Sequence, residues 1–285
     1  MSLAATATLA RGSRGDRGDG VGDDTRAKVG TATGRPLRVL ERNMRVLRTY
    51  WLAVASGFVE PVLLLLSLGV GVGELVGTMP GPGGDAIAYD QFVAPAMLVN
   101  AAMNGALLDT TFNFFVKFKY SKAYDAMLAT PLDSRDVAFG EVAWSLLRNA
   151  VYAIGFLVVM ALFGLTPSWW AVLGLPVALL VAWAFAGAGL GATTFMRSYL
   201  DFDKVGMVMI PLFLFSATFF PLDRYPDGLA AVIRWTPLYQ GVVLARSVTL
   251  GDLHPGLLVH VVYLVVMGWV GITVASRRIA KLLQP

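Results

Sequence analysis

The chain of 285 residues is 56% hydrophobic and 15% charged, contains no cysteine, and has a mean hydropathy of +0.64. This composition excludes an ordinary water-soluble globule, in which about a quarter of the residues are charged, and it predicts an all-α protein that crosses a membrane several times. The formal net charge is +4, and most of the positive charge lies outside the apolar runs. This distribution is typical of a protein in contact with membrane lipids and does not indicate nucleic-acid binding. Disulfide scaffolds and cysteine metal sites are excluded.

The amino-terminal segment divides into two parts. Residues 1–34 are rich in Gly, Ala, Arg, Thr and Asp and lack the apolar core of a signal peptide, which predicts a disordered cytosolic tail. Over residues 35–50 apolar side chains recur at helical spacing while arginines occupy other faces. This pattern predicts an amphipathic helix on the cytosolic membrane surface, with a plain positively charged anchor as the simpler alternative.

Six apolar runs are long enough to cross a bilayer core of about 30 Å, which takes about 20 residues per helix. They cover residues 51–76, 92–115, 142–164, 169–196, 205–220 and 256–275, within a predicted transmembrane domain of residues 51–285. The fifth run is the shortest and contains Pro211, so its limits are the least well defined.

The segments between these runs alternate in their content of Lys and Arg. Segments 1–50, 116–141, 197–204 and 276–285 carry ten, four, two and three such residues, whereas 77–91 and 165–168 carry none and 221–255 carries three. The positive-inside rule therefore predicts that both termini are cytosolic.

The predicted outer segment, 221–255, contains two short apolar stretches, 229–235 and 238–250, separated by Thr236 and Pro237. Neither stretch can span a bilayer. Asp227 is suited to cap the start of the first stretch and Gly251 to end the second. The segment therefore predicts two short helices in or on the outer leaflet, with a structured extracellular loop as the alternative.

Charged residues inside apolar runs are costly and therefore informative. Glu60 lies within the first run, Asp109 near the inner end of the second, and Arg148 at a similar depth in the third. An ion pair between Asp109 and Arg148 is predicted, because each charge then compensates the desolvation of the other. Such a pair serves either structure or substrate binding.

Polar residues also mark one side of the second helix. Asn100, Asn104 and Thr111 are spaced so that their side chains project in similar directions. A polar stripe in a membrane either contacts another helix or lines a substrate path. Three aromatic residues complete the candidate path, and they suit an amphipathic substrate or equally core and lipid packing: Phe112, Phe215 and Phe219.

No Walker loop, dinucleotide fingerprint, zinc-protease motif or serine-hydrolase elbow occurs in the sequence. We therefore expect no catalytic residue, no metal site and no cofactor in this chain. If the protein performs active transport, a partner or an ion gradient must supply the energy.

Several segments together resemble a known family. They are Phe92-Val-Ala-Pro-Ala-Met-Leu, Lys122-Ala-Tyr-Asp-Ala-Met-Leu-Ala-Thr-Pro-Leu, Asp136-Val-Ala-Phe-Gly-Glu, Phe220-Pro-Leu-Asp and Thr236-Pro-Leu-Tyr. With the six runs and the two short outer helices, residues 36–280 resemble the permease subunits of ABC-2 type (type V) exporters. The closer resemblance is to nodulation-type lipooligosaccharide exporter permeases and related drug-exporter permeases.

The resemblance implies a complex in the bacterial plasma (inner) membrane. Two permeases, a homodimer in preference to a heterodimer, would associate with two ATPase subunits that bind ATP and Mg. It also implies that the segment after the second run is a coupling helix that docks into the ATPase, over residues 121–129 and ending at Thr130-Pro131. The coupling residues implied in this chain are Ser121, Tyr124, Asp125, Met127, Leu128, Thr130 and Pro131. By contrast, Lys117, Lys119 and Lys122 are interpreted as ordinary positive-inside anchors.

The leading hypothesis is the transmembrane subunit of an ATP-driven exporter for a drug, a glycolipid or a lipooligosaccharide. The alternative is a gradient-driven secondary transporter in which Glu60 carries protons, although no symmetry-related second repeat is evident. A membrane-embedded enzyme is the third hypothesis, and it would need clustered histidines or carboxylates that the sequence does not show.

Overall fold

The structure is a computed structural model that describes residues 62–69, 71–120, 134–198 and 200–283. The predicted tail and the predicted amphipathic helix over residues 35–50 lie outside these ranges. The first part of the first apolar run and the whole of the predicted coupling segment, residues 121–131, lie outside them as well.

The described chain is mostly helical. Residues 62–69 are helical. The elements that follow are α1 (Gly73–Val76), β1 (Thr78–Pro80), β2 (Ala86–Ala88), α2 (Tyr89–Leu108), α3 (Ser134–Leu162), α4 (Gly174–Thr193), α5 (Asp201–Leu214), α6 (Asp227–Arg234), α7 (Pro237–Leu250) and α8 (Leu257–Leu283). Two π-helical turns, Asp109–Asn113 and Val116–Tyr120, continue α2, and 3-10 turns at Trp169–Leu173 and Leu222–Arg224 precede α4 and α6.

Four helical stretches among the described residues are long and apolar enough to cross a membrane. They are Tyr89–Phe118, Arg135–Leu162, Trp169–Thr193 and Leu257–Leu282. They correspond to the second, third, fourth and sixth predicted runs. Three of them extend past the predicted limits. Tyr89–Phe118 exceeds the run 92–115 at both ends, residues 134–141 already belong to α3, and α8 continues to Leu283. Hydropathy finds the apolar part of a helix and misses the polar turns that extend beyond it.

The fifth predicted run does not form a helix long enough to cross a membrane. Its helix, α5, ends at Leu214, and residues 215–220 form bends. Fourteen residues at about 1.5 Å each give a helix of about 21 Å, which is shorter than the bilayer core. The backbone leaves the helical region at Phe215, with φ −111° and ψ 30°, and Ala217 beyond it adopts a positive φ of 54°, which a helix cannot accommodate.

A small hairpin was not predicted. β1 and β2 pair antiparallel, with Met79 opposite Ile87. Gly77 and Gly84 have positive φ values of 73° and 86°, which glycine adopts at little cost. We call the end of the helix bundle that carries β1 and β2 the hairpin end, and the opposite end the Lys117 end.

Two short helices, α6 and α7, lie where the sequence predicts them, and their position in or on the outer leaflet stays a prediction. Gly251 ends α7 with a φ of 86°, as expected. Asp227 is the first residue of α6 and makes no capping hydrogen bond, because Pro226 occupies the cap position. The acidic side chain in the first turn still faces the positive end of the helix dipole.

Helix α4 forms the centre of the bundle, where it packs against α2, α3, α7 and α8. Its closest approach is to α8, at glycines. A Cβ atom at Gly187 would lie 2.4 Å from the carbonyl oxygen of Gly268, and one at Gly271 would lie 2.2 Å from the carbonyl carbon of Gly187. The missing side chains let the two backbones touch, which is how helices pack tightly in membranes.

Candidate functional site

Two acid–base pairs connect α3 with the π-helical continuation of α2. Arg148 Nη2 lies 2.7 Å from Asp109 Oδ1, and Lys117 Nζ lies 2.7 Å from Glu141 Oε2. Asp109 and Lys117 are eight residues apart on one helix, and Glu141 and Arg148 are seven apart on its antiparallel neighbour. Both spacings are about two helical turns, so the pairs form two successive rungs. We call these four residues the charge ladder.

The pair expected from the sequence, Asp109 with Arg148, is present. The Asp109 side chain is only 3% exposed, and Asn113 Nδ2 donates a 2.9 Å hydrogen bond to its Oδ1 atom. Asp109 Oδ2 and Arg148 Nε have no hydrogen-bond partner in the described part of the chain. The pair therefore neutralises charge without satisfying every donor and acceptor, which leaves two polar atoms able to take a water or another group.

The second pair was missed, because the sequence interpretation treats Lys117 only as an anchor. Its partner, Glu141, is 2% exposed at the side chain, whereas Lys117 is 24% exposed. A buried carboxylate requires a cation, so Lys117 stabilises the packing of two helices. The spacing of Glu141 and Arg148 on one helical face was the signal that could have predicted the ladder.

The charge ladder begins where α2 changes to π-helical geometry. Asp109 opens the first π-helical turn, and Thr193 Oγ1 of α4 donates a 2.9 Å hydrogen bond to the backbone oxygen of Thr110. A π-helical turn shifts the backbone hydrogen-bond pattern, and such turns often occur at functional sites. The Thr193 contact fixes this turn to the central helix.

The polar residues of the candidate path do not share one open surface. Asn100 and Thr111 are buried, at 5% and 3% exposure, and Asn104 is half-buried. Thr111 donates its hydroxyl hydrogen bond to the Leu107 carbonyl in its own helix. These residues lie mainly between helices in this conformation, and their role in a substrate path stays a prediction.

Phe112 lies far from the other two aromatic residues of the candidate path, Phe215 and Phe219. Phe112 stacks edge-on with Phe202, with 5.6 Å between ring centroids, whereas Phe215 contacts Tyr225 at 6.4 Å. Phe202 lies in the first turn of α5 and Phe215 directly follows its last residue, which separates them by about 20 Å. Phe219 contacts Phe213 at the same end of α5 as Phe215.

The remaining predicted site residues lie outside the described ranges. They are Glu60 and the implied coupling residues Ser121, Tyr124, Asp125, Met127, Leu128, Thr130 and Pro131. The described segments that flank the coupling region, Val116–Tyr120 and α3, lie at the Lys117 end.

A buried arginine, Arg246, lies at the hairpin end and was not singled out by the sequence. Arg246 of α7 is 8% exposed, its Nε donates to the Phe92 carbonyl at 3.1 Å, and its Nη2 donates to the Ala217 carbonyl at 3.0 Å. The guanidinium also stacks on the Phe92 ring, 3.6 Å from the centroid. Its signal in the sequence was a single charge within an apolar stretch of 14 residues.

Long apolar helices that pack through glycines and neutralise charges between them define a membrane protein with several spans. The ABC-2 type transporter family model matches residues 38–250 of the chain. Since this match covers most of its length, the chain belongs to the ABC-2 type transporter family, and it is a membrane component of an ABC transporter.

The chain is similar to several proteins that are named nodulation protein J. A nodulation protein J of Rhizobium leguminosarum bv. viciae is 29% identical over 252 residues, which are 86% of this chain and 95% of the relative. The nodulation protein J of R. leguminosarum bv. trifolii is 31% identical over 78% of this chain and 85% of its own length. That of Rhizobium meliloti is 28% identical over 72% and 78%.

Proposed function

We propose that this chain is the permease subunit of an ABC exporter that moves an amphipathic or lipid-linked substrate out across the bacterial inner membrane. A separate ATPase subunit, present in two copies, binds ATP and Mg and supplies the energy. The observation that carries the proposal is the family match over residues 38–250 in a sequence without a Walker loop.

The Lys117 end is proposed to face the cytosol and the ATPase. Basic residues of the described loops and helix ends cluster there, as positive charges do on the cytosolic side. They are Lys117, Arg135, Arg197, Lys204, Arg277, Arg278 and Lys281. The proposed coupling segment, residues 121–131, connects two helices at this end, and the charge ladder directly joins those helices. A push on the segment would therefore be transmitted to α2 and α3 together.

The test is co-purification with a candidate ATPase subunit that contains a Walker loop, followed by ATP hydrolysis in nanodiscs. We expect Tyr124→Glu and Met127→Glu to abolish assembly and substrate-stimulated hydrolysis. Ala126→Glu is the matched control, since a helix would place it on the opposite face and assembly should persist. Unchanged coupling in both test variants would contradict the docking role. Transport that proceeds without ATP and requires both a proton gradient and Glu60 would favour a secondary transporter.

We further propose that two copies of the permease associate through α5. No residue of this helix is buried, and Met207, Val208 and Ile210 are 74%, 62% and 63% exposed. An apolar face of this kind at the edge of a bundle suits another copy of the chain. Phe112 and Phe215, at opposite ends of α5, would then border the interface between the copies.

Because the chain has no cysteine, single-cysteine variants test this arrangement directly. We expect Met207→Cys to form disulfide-linked dimers in membranes under mild oxidation. Val158→Cys is the matched control, because Val158 is 53% exposed on α3, away from α5, and should give monomers. Equal crosslinking at both positions would indicate random collision and reject the interface.

A further inference from the structure

A cavity of about 220 Å³ opens at the hairpin end, between the hairpin turn, the chain that follows α5, and α7. Its lining includes Gly81, Leu222, Tyr239, Val243 and Arg246. Pockets for whole drug-sized ligands measure about 300 Å³ or more, so this cavity suits a small head group.

Arg246 is the charged residue of this lining, and its hydrogen-bonding capacity is only partly used. A guanidinium has five N–H donors. One on Nε and one on Nη2 reach the carbonyls of Phe92 and Ala217, and Nη1 has no partner among the described residues. Three donors are therefore left, on a side chain that lines the cavity.

No described residue forms an ion pair with Arg246, which distinguishes it from the two cations of the charge ladder. Arg148 and Lys117 each have a carboxylate oxygen at 2.7 Å. Burial lowers the pKa of Arg246 to about 9, which still leaves the guanidinium charged at neutral pH. A buried charge without a counter-charge is costly, and an anion in the cavity would remove that cost.

The guanidinium is also held in one orientation. The Phe92 ring covers one face at 3.6 Å, and the Ala217 carbonyl belongs to a residue with the strained positive φ of 54°. Strained backbone of this kind persists where the surrounding contacts enforce it, and it clusters at ligand sites. The donors that are left therefore point in fixed directions, and little entropy is lost when a ligand binds.

We propose that Arg246 and its cavity form a binding site for an anionic head group, a phosphate or a carboxylate, that enters from the hairpin end. The head group accepts hydrogen bonds from the guanidinium donors that the carbonyls leave unused. Its source is a phospholipid, an anionic amphipath or a free ion, which share this chemistry. Binding itself does not depend on export, and only the interpretation as a site on the exit side rests on the proposed function.

The test measures ligand-dependent thermal stability of the full chain in phosphatidylcholine nanodiscs without the ATPase. The probes are inorganic phosphate, dodecyl phosphate and added phosphatidylglycerol, and dodecyl maltoside is the neutral comparison. We expect at least one anionic probe to raise the melting temperature in a saturable way that the neutral comparison does not reproduce. Phosphate alone would indicate a small-ion site, dodecyl phosphate an amphipath site, and phosphatidylglycerol a lipid site. The absence of any anion-specific shift would overturn the proposal.

Two variants at the cavity wall test the location without removing the arginine. Leu222→Glu supplies an internal carboxylate, which should weaken binding of the anionic probe about tenfold or more. Leu222→Gln has the same shape without the charge and should bind within about twofold of the unsubstituted protein. Equal binding by both variants would overturn the assignment to this cavity. Since no ATPase is present, failure here leaves the coupling test unaffected, and failed coupling leaves this test intact.

Discussion

The two ends of the bundle differ in how an arginine between helices is compensated: Arg148 is half-buried and Arg246 is buried. At the Lys117 end Arg148 has a carboxylate partner, Asp109, and a second acid–base pair stands two helical turns away. At the hairpin end Arg246 is more deeply buried, yet its partners are two backbone carbonyls and an aromatic ring.

This difference separates charges that hold helices together from a charge that is available to a ligand. The charge ladder is neutral as a unit, so it can sit between helices in any conformation that keeps α2 and α3 paired. Arg246 retains an uncompensated charge and unused donors beside a cavity. We therefore expect substitutions at the two ends to differ in whether a second substitution can rescue them.

The largest expected effect is that of Arg148→Leu. It leaves the carboxylate of Asp109 buried without a counter-charge, and we expect the free energy of unfolding in detergent micelles to fall by about 3–5 kcal/mol. Adding Asp109→Asn should restore most of this loss, because the stranded charge is then removed. A harmless single substitution, or a double variant that is no better than the single one, would contradict the structural role of the pair.

Arg246→Met should lower the free energy of unfolding by less, about 2 kcal/mol. The loss of the hydrogen bonds to two carbonyls is partly offset by removal of a buried charge. No described carboxylate pairs with Arg246, so no charge-removing second substitution should rescue it. Arg246→Lys keeps the charge and serves as the control, with an intermediate stability in the same unfolding measurement. Rescue by neutralising any single nearby acid would show that a counter-charge had been overlooked.

Glu141→Gln tests the second pair of the charge ladder, Lys117 with Glu141. We expect it to lower the free energy of unfolding by about 1 kcal/mol. The effect is smaller because Lys117 is 24% exposed and can turn its ammonium toward water when its partner is lost. The reverse change, Lys117→Met, should cost more, because it strands the buried carboxylate. Unfolding curves that rank these two variants in the other order would contradict this account.

The smallest effect concerns Asp201, at the start of α5. The Lys204 ammonium, followed by the backbone N–H groups of Arg197 and Ser198, holds the pKa of this carboxyl well below its ordinary 3.8. A lowered pKa in the folded state means that the carboxylate stabilises the fold above the ordinary value, and that this contribution is lost as the pH falls further. The melting temperatures of the unsubstituted protein and Asp201→Asn should therefore differ at pH 7, and the difference should begin to shrink only as the pH falls below about 4. Added salt should reduce the difference, since the pair is exposed.

The sequence was sufficient to predict features that depend only on residues close together in the chain. Apolar runs identified four membrane-length helices, a Thr-Pro break separated α6 from α7, and a glycine ended α7. The Asp109–Arg148 pair was also predictable, since charges in apolar runs have few ways to be neutralised. The length of α5 was not predictable, because hydropathy does not report that the backbone leaves the helical region at Phe215.

The sequence by itself determined a membrane protein with an ion pair between its second and third predicted runs, and its resemblance to ABC-2 type permeases agrees with the family match. Only the tertiary structure decided that Lys117 pairs with Glu141, that the candidate path residues lie on different surfaces, and that Arg246 lines a cavity. Hydropathy and helical spacing are properties of neighbouring residues. The partner of a charge depends on residues that are distant in sequence: Arg246 bonds to carbonyls 154 and 29 positions away.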